Sequence, residues 1–372
     1  MQFSPAYPYC RVQAWKISHL GPILHYSIEL FPAVKMPKLT FHDQEFSLNQ
    51  YETVLDCLLR NGQFIPYACR AGMCQACLIK AIDCEATEES KKWIKKDLQD
   101  KGYTLACQWV PQDDVVTALP SLEDFSVRGE IVSLTFLNQD TLKVVLSIPP
   151  EDKFSCLPGQ YLTLINPDGI ARSYSVANDV TENQVLEFHI SKTSHGAFSG
   201  WLFNHAQTGD FLRLRDATGE CYYNNNEGSD FPMILAGTGT GLAPIYGIVH
   251  DALKKGHQGP IKLFHGGRST AQLYYIDELL KLADSADNFS YYPCIRDEEE
   301  KSSLAGICRG NLEDIVISKI AEENLTQTRF YLCGAPDFVY QMRKKAYLKG
   351  ARSNQIFCDP YLEKKHVPRE QD

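Results

Sequence analysis

Four cysteines have a spacing that suits metal or iron–sulfur chemistry. Three lie in the stretch CRAGMCQAC, spaced C-x4-C-x2-C, and a fourth follows in TLACQW (Cys69, Cys74, Cys77 and Cys107). Thiolates bind soft metal centres, and this spacing is typical of the ligands of a [2Fe–2S] cluster. A loop that turns thiolates and backbone amides toward one inorganic core needs small residues, which Gly72 and the neighbouring alanines provide. The spacing therefore predicts a [2Fe–2S] centre.

Two other interpretations of these cysteines remain. Four thiolates also bind zinc, although structural zinc sites are normally built from two short Cys pairs. The cysteines can also be unrelated buried residues. Cys84 lies outside the pattern and is not expected to be a ligand. The chain has 13 cysteines, an odd number that excludes a complete intramolecular disulfide framework and favours a reducing compartment.

Composition and charge narrow the class of protein. The 372 residues are 44% hydrophobic and 22% charged, which is ordinary for a globular protein of two or three domains. A net charge of −9, without a long basic block, argues against a nucleic-acid partner. The sequence lacks both the run of about 18 apolar residues that a membrane span needs and a signal-peptide pattern. We expect a cytoplasmic protein with no membrane span.

A glycine-rich segment, ILAGTGTGLAP, is typical of a nucleotide-binding loop. Its glycines lie between a buried strand and a helix, and threonines alternate with them (Gly237, Thr238, Gly239, Thr240 and Gly241). A dinucleotide loop requires this position, because the helix amides then face the phosphates. The spacing departs from G-x-G-x-x-G, so it does not indicate a standard Rossmann dehydrogenase, and a structural glycine turn is the alternative.

Taken together, several segments resemble ferredoxin–NAD(P) reductase-type flavoproteins with an N-terminal plant-type ferredoxin domain, such as the reductase components of bacterial multicomponent oxygenases. YACRAGMCQAC and the distant LACQ are similar to the ferredoxin module of these reductases. ARSYSVAN matches their Arg-x-Tyr-Ser signature, and GTGTGLAP is similar to their nicotinamide-nucleotide loop. The motifs occur in the order ferredoxin, FAD and nicotinamide, and they extend from about residue 37 onward.

This resemblance implies that the middle of the chain binds FAD. Arg172 is suited to pair with the pyrophosphate, Tyr174 to lie against the isoalloxazine ring, and Ser175 to hydrogen-bond near flavin N5. Downstream, Gly196 and Ser199 stand at the start of an apolar helix, where free amides and the helix dipole favour phosphate. The family uses the matching turn for the FAD pyrophosphate. Taken singly, these segments also fit an exposed strand end and a plain helix cap.

The resemblance also implies residues near the nicotinamide. FYLCGAP contains Cys333 and Gly334 and is similar to the family's Cys-Gly-x-Pro segment, although a plain buried cysteine is an alternative. We expect Ser175 and Cys333 to lie nearest the hydride path. Near the C-terminus, Phe357 and Tyr361 are both candidates for the aromatic side chain that covers the other flavin face. The charged tail that follows departs from shorter relatives and leaves this choice open.

Two observations bear on the identity of the nucleotide. The segment HGGRSTAQLYY lacks the acidic residue expected to hold a ribose 2′-hydroxyl, and Arg268 and Arg296 are suited to a 2′-phosphate. However, oxygenase reductases with an N-terminal ferredoxin module mostly resemble NADH enzymes. We favour NADH, with NADPH as the alternative.

The elements that position these residues change along the chain. Residues 1–35 show no clear periodicity and are expected to be a poorly ordered extension. In residues 36–122, KLTFHDQEFSL predicts a strand, a turn and a strand, YETVLDCLLRNG predicts a helix that ends at Asn61, and ATEESKKWIKKDLQDKG predicts a charged surface helix. These residues form the expected plant-type [2Fe–2S] domain.

The remaining residues predict two more domains. Alternating strands in residues 123–228 are typical of an antiparallel barrel, and alternating strands and helices in residues 229–372 are typical of a parallel sheet. The predicted fold is therefore multidomain α+β and α/β. It comprises a β-grasp-like ferredoxin domain, an antiparallel β-barrel FAD domain and a parallel α/β nicotinamide-nucleotide domain.

The expected function is that of an NAD(P)H-dependent iron–sulfur flavoprotein reductase. A hydride would pass from nicotinamide C4 to flavin N5, and electrons would then pass singly to the [2Fe–2S] cluster. They would leave through the rim around residues 70–73 to a protein acceptor such as an oxygenase component. The alternatives are a reductase for a deoxysugar dehydratase, a flavin and cluster module that senses redox state without turnover, and a zinc-stabilised interaction protein.

Overall fold

The computed structural model describes residues 36–67, 69–120, 127–152, 154–180, 184–215, 217–226, 228–297, 306–320 and 324–361. The expected extension, residues 1–35, lies outside these ranges. Three sheets follow one another along the described chain in the order mixed, antiparallel and parallel. This order agrees with the predicted fold class.

The first sheet is mixed and is built from short strands. Its elements are β1 (Lys38–Phe41), β2 (Gln44–Ser47), α1 (Val54–Arg60), β3 (Leu78–Ile82), α2 (Glu88–Lys91), α3 (Lys96–Asp100), β4 (Tyr103–Leu105) and β5 (Val115–Ala118). The strand order is β2-β1-β5-β3-β4, with β1 and β5 parallel and the other pairs antiparallel. The Thr53 side chain accepts a hydrogen bond from the backbone N–H of Asp56 and caps α1. Asn61, where the sequence predicted the end of the helix, is the C-cap residue after Arg60.

The charged segment that follows β3 differs from the prediction. It was expected to form one surface helix, but it forms α2 and α3 with residues 92–95 between them. Gln75 Nε2 donates to the Trp93 carbonyl at 2.7 Å, and Gln99 Nε2 donates to the Ile94 carbonyl at 2.7 Å. These side chains satisfy backbone acceptors outside a helix, and Ile94 is only 4% exposed because it packs into the core. Burial of Ile94 therefore interrupts the helix.

The second sheet is antiparallel. Its elements are β6 (Val127–Asn138), β7 (Thr141–Ser147), β8 (Tyr161–Ile165), β9 (Ala171–Ser175), β10 (Val185–Ser191), α4 (Ala197–Asn204) and β11 (Phe211–Leu214). The strand order is β10-β7-β6-β11-β8-β9. An isolated bridge between Val176 and Phe188 joins the two edges of this sheet. The sheet therefore closes toward the predicted barrel.

The third sheet is parallel and carries helices on both faces. Its elements are β12 (Met233–Thr238), α5 (Leu242–Lys254), β13 (Ile261–Gly267), α6 (Ile276–Ser285), β14 (Phe289–Ile295), β15 (Cys308–Arg309), α7 (Leu312–Lys319), β16 (Arg329–Gly334), α8 (Pro336–Leu348) and β17 (Ile356–Pro360). The strand order is β15-β14-β13-β12-β16-β17. Met233 and Leu235 belong to one core cluster and Ile234 and Ala236 to another, because successive strand residues face opposite sides.

The order of the strands in this sheet predicts where a ligand binds. After β12 the chain adds β13 and β14 on one side, and it later returns to place β16 on the other side. Open α/β sheets bind ligands at the carboxyl ends of the strands where the order reverses. This point lies between β12 and β16, where the glycine-rich loop and Cys333 are found.

Among the helices in the described ranges, none has the length and apolar character needed to span a bilayer.

Candidate functional site

The four predicted cluster ligands come together as two pairs of thiols. Three lie in the loop between α1 and β3, and Cys107 follows β4. The side chains of Cys69 and Cys74 contact each other, and those of Cys77 and Cys107 form a second contact. Within the described residues, no group of three or more acidic, His or Cys side chains is arranged to hold a single metal ion. Two pairs suit a two-iron cluster, which takes two thiolates at each iron.

Backbone amides of the loop point at these sulfur atoms. The amides of Ala71 and Cys74 donate to Cys69 Sγ at 3.3 and 3.4 Å, and the amide of Cys69 donates to Cys74 Sγ at 3.4 Å. Hydrogen bonding with the Cys74 side chain lowers the pKa of Cys69 to about 5; burial opposes this effect, and the amides of Cys74 and Ala71 add to it. Contact with Cys77 likewise lowers the pKa of Cys107 to about 7. The same contacts raise the pKa of the partner thiols, Cys74 and Cys77. Each pair therefore contains one thiol that ionises readily, and iron ligation would deprotonate the other.

Gly72 allows this loop to close tightly. Its φ of +80° lies in the left-handed region, and a Cβ at this position would lie 3.1 Å from Gln108 Cγ and 3.2 Å from Trp93 Cδ1. Arg70 and Gln75 also have positive φ values, of 55° and 52°. A side chain at residue 72 would therefore be both strained and crowded, as the sequence reasoning expected.

The predicted flavin residues Arg172, Tyr174 and Ser175 lie at the end of β9. The Tyr174 ring packs against the Phe198 ring of α4, with centroids 5.4 Å apart. Arg172 Nη1 donates to the Ala171 carbonyl at 2.7 Å, and Ser175 is 6% exposed. β9 therefore carries a cation, an aromatic ring and a hydroxyl within four consecutive residues, as the predicted flavin contacts require.

The predicted phosphate turn precedes α4 and is held by its own side chains. Gly196 is the residue before the helix, and Ser199 Oγ accepts a hydrogen bond from the Thr193 amide at 3.2 Å. A Cβ on Gly196 would lie 2.4 Å from Ser199 Oγ. The Ser199 hydroxyl therefore closes the turn, and the first amides of α4, which lack intrahelical partners, are of the kind that binds anions.

The glycine-rich loop after β12 packs directly against the end of β16. A Cβ on Gly241 would lie 2.4 Å from the Cys333 carbonyl oxygen, and a Cβ on Gly334 would lie 2.5 Å from Thr238 Oγ1. Thr238 Oγ1 accepts a hydrogen bond from the Ala335 amide at 2.9 Å. Gly237 and Gly239 complete the loop, and Gly239 has φ +55°. Gly241 and Gly334 are thus required for close backbone approach where the strand order reverses, whereas Gly239 is favoured by its left-handed conformation.

The C-terminal strand brings an acidic residue and a tyrosine to Ser175. Ser175 Oγ donates to Asp359 Oδ2 at 2.8 Å and lies 3.4 Å from Tyr361 Oη. Tyr361 Oη also donates to the Thr240 carbonyl at 3.2 Å, and its amide donates to the Gly334 carbonyl at 2.8 Å. The barrel, the glycine-rich loop and the end of β17 therefore meet at Ser175.

Sequence reasoning missed Asp359. The only local signal is that an acidic residue follows an apolar run in IFCDPY, which does not distinguish it from a surface residue. Burial raises the pKa of Asp359 to about 6, and the hydrogen bond from Ser175 opposes this effect. A half-buried carboxyl group whose pKa is raised toward neutrality beside a predicted flavin residue is a candidate functional group.

Of the remaining predicted residues, Phe357 is half-buried against the core and Cys333 is fully buried. The Phe357 ring stacks on the Tyr331 ring, with centroids 5.2 Å apart and an angle of 17° between the planes. Cys333 is 0% exposed, and its Sγ lies 3.6 Å from Cys221 Sγ. Phe357 therefore packs within the parallel-sheet domain, whereas Tyr361 lies at the meeting point of the domains.

Asp359→Asn should make hydride transfer insensitive to pH around 6. The ionised carboxylate accepts a charge-assisted hydrogen bond from Ser175 and orients it, and protonation weakens that bond. We expect flavin reduction in the unaltered protein to slow as the pH falls through about 6. Stopped-flow reduction between pH 5.5 and 8 should show one titration, absent in the variant. A profile that is the same in both proteins would contradict this role for Asp359.

Three family models match successive parts of the chain. The 2Fe-2S iron-sulfur cluster binding domain matches residues 40–112, the oxidoreductase FAD-binding domain matches residues 128–223, and the oxidoreductase NAD-binding domain matches residues 234–344. These ranges fall within the mixed, antiparallel and parallel sheet regions, respectively, and leave out β5 and β17. The predicted [2Fe–2S], FAD and nicotinamide cofactors are thereby confirmed.

Whole-chain comparisons agree with these matches. The chain is 31% identical over 317 residues to the ferredoxin–NAD(P)(+) reductase component of the naphthalene 1,2-dioxygenase system of Pseudomonas putida, covering 83% of this chain and 93% of that protein. It is 26% identical over 326 residues to the CDP-6-deoxy-L-threo-D-glycero-4-hexulose-3-dehydrase reductase of Yersinia pestis, covering 86% and 96%. Among solved structures, a cytochrome P450 reductase from Amycolatopsis has the same fold, with a TM-score of 0.62, 24% identity and coverage of 87% and 98%.

The chain therefore belongs to the family of ferredoxin–NAD(P)+ reductases that combine a [2Fe–2S] domain with FAD-binding and NAD-binding domains. The expectation of an NAD(P)H-dependent electron-transfer oxidoreductase is confirmed. The protein takes electrons from a nicotinamide nucleotide and passes them through FAD and an iron–sulfur cluster.

Proposed function

We propose that this reductase delivers single electrons to the oxygenase component of a hydroxylating system and takes them from NADH. The observation that carries the exit route is the exposure of the cluster loop. Arg70, Ala71 and Met73 are exposed and Cys69 and Cys74 are half-buried, whereas Cys77 and Cys107 are buried. One side of the cluster is therefore open to a protein partner.

The geometry described above supports the following ligands and contacts. Cys69, Cys74, Cys77 and Cys107 would hold the [2Fe–2S] cluster, and Arg172, Tyr174 and the amides after Gly196 would bind FAD. When bound, FAD accepts a hydride from the nicotinamide and releases electrons one at a time. Ser175 would orient the reacting end of the flavin through its bond to Asp359.

Tyr361 is the better candidate for the aromatic side chain that covers the flavin. It lies beside Ser175, and its amide bonds to the carbonyl of Gly334. Phe357 is engaged with Tyr331 in the core. A ring at residue 361 would exclude water from the flavin and would have to move when the nicotinamide arrives.

The acceptor can be tested with purified proteins. We expect the NADH-reduced protein to reduce an oxygenase component faster than a deoxysugar dehydratase, the acceptor system that the Yersinia pestis relative suggests as an alternative. Arg70→Glu should slow transfer to the acceptor about tenfold at low ionic strength, because a surface charge near the exit alters the encounter. Arg128→Glu, an exposed change on the barrel, is the matched control.

Two results would contradict this proposal. The first is exclusive reduction of the dehydratase, which would assign the protein to deoxysugar formation. The second is equal slowing by Arg70→Glu and Arg128→Glu, which would place the exit away from the cluster loop. Anaerobic NADH must also bleach the flavin and produce a reduced-cluster EPR signal in the same samples.

The preference for NADH is supported by the residues at the ends of β13 and β14. Arg296 donates its amide to the Gly267 carbonyl at 2.9 Å, and Asp297 donates its amide to the Arg268 carbonyl at 3.0 Å. An exposed acidic residue therefore accompanies both arginines at this edge. A carboxylate suits a ribose 2′-hydroxyl and repels a 2′-phosphate.

Asp297→Asn should improve the use of NADPH. Removing the carboxylate lowers the repulsion of a 2′-phosphate, so we expect kcat/KM for NADPH to rise roughly 3- to 10-fold while that for NADH changes little or falls. Steady-state kinetics with a dye acceptor measure both values. An initial preference for NADPH in the unaltered protein would show that the arginines dominate this edge.

A further inference from the structure

The FAD-binding barrel holds the cluster loop by its backbone. Three consecutive carbonyl groups, those of Met73, Cys74 and Gln75, accept hydrogen bonds from barrel side chains. The donors are Tyr161 Oη at 2.8 Å to residue 73, Thr163 Oγ1 at 2.8 Å and Ser173 Oγ at 3.1 Å to residue 74, and Arg215 Nη1 to residue 75. These contacts join parts of the chain that are 88 to 140 residues apart.

The donors come from three neighbouring strands. Tyr161 and Thr163 share one face of β8 because they are two residues apart. Ser173 on β9 is paired in register with Thr163, and their hydroxyl oxygens are 3.0 Å apart. Arg215 follows β11, and its amide donates to the Thr163 carbonyl at 3.0 Å. The barrel therefore presents one contiguous group of donors, the loop dock (Tyr161, Thr163, Ser173 and Arg215).

The loop dock shares a strand with the flavin site. Ser173 stands between Arg172 and Tyr174 in the flavin motif, and adjacent residues of a strand are about 3.3 Å apart along it. The same short strand thus contacts the backbone of Cys74 and carries the proposed flavin contacts. A rigid strand between the two sites holds their separation constant, which single-electron transfer requires.

Arg215 differs from the other donors because it carries a charge in a buried position. It is 7% exposed, and the sulfur atoms of Cys77 and Cys74, when ionised as cluster ligands, are the charges that most favour its cationic form. Burial lowers its pKa to about 10, which still leaves the guanidinium charged at neutral pH. A buried charge acts on its neighbours more strongly than one in water because the effective dielectric constant is lower.

We propose that the loop dock fixes the cluster beside the flavin and that Arg215 raises the reduction potential of the cluster. Reduction adds one negative charge to the cluster, so a nearby buried cation stabilises the reduced form more than the oxidised form. The electron is thereby drawn from the flavin toward the cluster. Arg215 is a positioning and tuning residue, since it contacts the ligand loop rather than the reacting atoms. This inference rests on the proposed ligand set.

The effect of the charge can be measured by EPR-monitored redox titration of the holoenzyme. We expect Arg215→Gln to shift the equilibrium of one electron between flavin and cluster about tenfold toward the flavin. This shift corresponds to a fall of about 59 mV in the reduction potential of the cluster. Arg215→Lys keeps the charge, so its equilibrium between flavin and cluster should stay within threefold of that of the unaltered protein. Arg128→Gln removes an exposed charge from the same barrel and should have no effect.

Two outcomes of this titration would overturn the role of Arg215. One is an unchanged cluster potential in Arg215→Gln that retains both cofactors. The other is a tenfold shift in Arg215→Lys, which would show that charge is not the cause, and this variant remains informative if Arg215→Gln does not fold. A wrong ligand set would appear differently, because Cys107→Ser would then keep the cluster spectrum.

The loop dock itself is tested by Thr163→Val combined with Ser173→Ala. This double variant removes both donors to the Cys74 carbonyl and leaves Arg215 in place. We expect hydrogen–deuterium exchange of the backbone amides in residues 73–77 to become at least tenfold faster. The electron equilibrium between flavin and cluster should change less than threefold. Unchanged exchange in these residues would show that the donors do not hold the loop.

Discussion

Replacing Cys107 with serine should abolish the [2Fe–2S] cluster and reduce electron delivery to a protein acceptor more than about 100-fold. Cys107 is buried, and its thiol forms one of the two ligand pairs with Cys77. An alcohol at this position is a poor ligand for iron, which prefers thiolate here. Because the flavin and nucleotide residues lie in other domains, NADH oxidation with a dye that accepts directly from FAD should stay within about twofold. Visible absorption, EPR and parallel assays with both acceptors measure these effects.

The matched control for this variant is Cys84→Ser. Cys84 is half-buried, lies outside the ligand pattern, and donates to the Val116 carbonyl at 3.5 Å. It should keep the cluster and both activities. Equal loss of dye reduction and acceptor reduction in Cys107→Ser would contradict a modular electron path, and a retained cluster would contradict the ligand assignment.

The second large effect is expected for Ser175→Ala, which should slow the reduction of FAD by NADH about 100-fold. Its hydroxyl joins β9 to Asp359 at the end of β17 and approaches Tyr361. Loss of this link would let the reacting centres shift, and a misplacement of about 1 Å can cost about 100-fold in rate. Anaerobic stopped-flow measurements at 450 nm, a wavelength at which oxidised flavins absorb, follow this step directly.

Ser175→Thr provides the control, because it retains the hydroxyl group at the same position. It should recover most of the rate of flavin reduction, whereas the cluster potential and FAD content should be unchanged in both variants. A normal rate in Ser175→Ala would exclude Ser175 from the hydride path. A rate lost together with FAD would instead assign Ser175 to binding.

Burial limits the role that the predicted site residue Cys333 can take in the reaction. The structure places the Cys333 thiol against Cys221 in a fully buried position, so a reactive role for its sulfur has little geometric support. Burial and contact with Cys221 raise the pKa of Cys333 and keep the thiol protonated. Its backbone carbonyl, by contrast, lies against Gly241, so Cys333 supports the nucleotide loop through its main chain.

Residues 86–102 illustrate where local pattern and tertiary structure disagree. Helical spacing of Trp93, Ile94 and Leu98 predicted one helix. Instead, Ile94 packs into the core and the segment forms two short helices, α2 and α3. The intervening carbonyls accept hydrogen bonds from Gln75 and Gln99 instead of from helix amides. Helix propensity is a weak preference that packing of a buried side chain overrides.

The sequence by itself determined the chemical class of this protein. The Cys spacing, the Arg-x-Tyr-Ser segment and the glycine-rich loop are local patterns, and each positions its groups within a few residues. The alternation of strands and helices likewise predicted the three types of sheet, because its period is visible along the chain. These features needed no knowledge of distant contacts.

Only the tertiary structure decided which distant residues complete the sites. Ser175 meets Asp359 across 184 residues, and Arg215 reaches the cluster loop across 140. It also places Tyr361 against the Thr240 carbonyl and Phe357 against the Tyr331 ring, although the two aromatic residues have a similar local context. Such pairs depend on how the sheets pack. The presence of a single Asp, Arg or Tyr in a sequence does not indicate which distant residue it contacts.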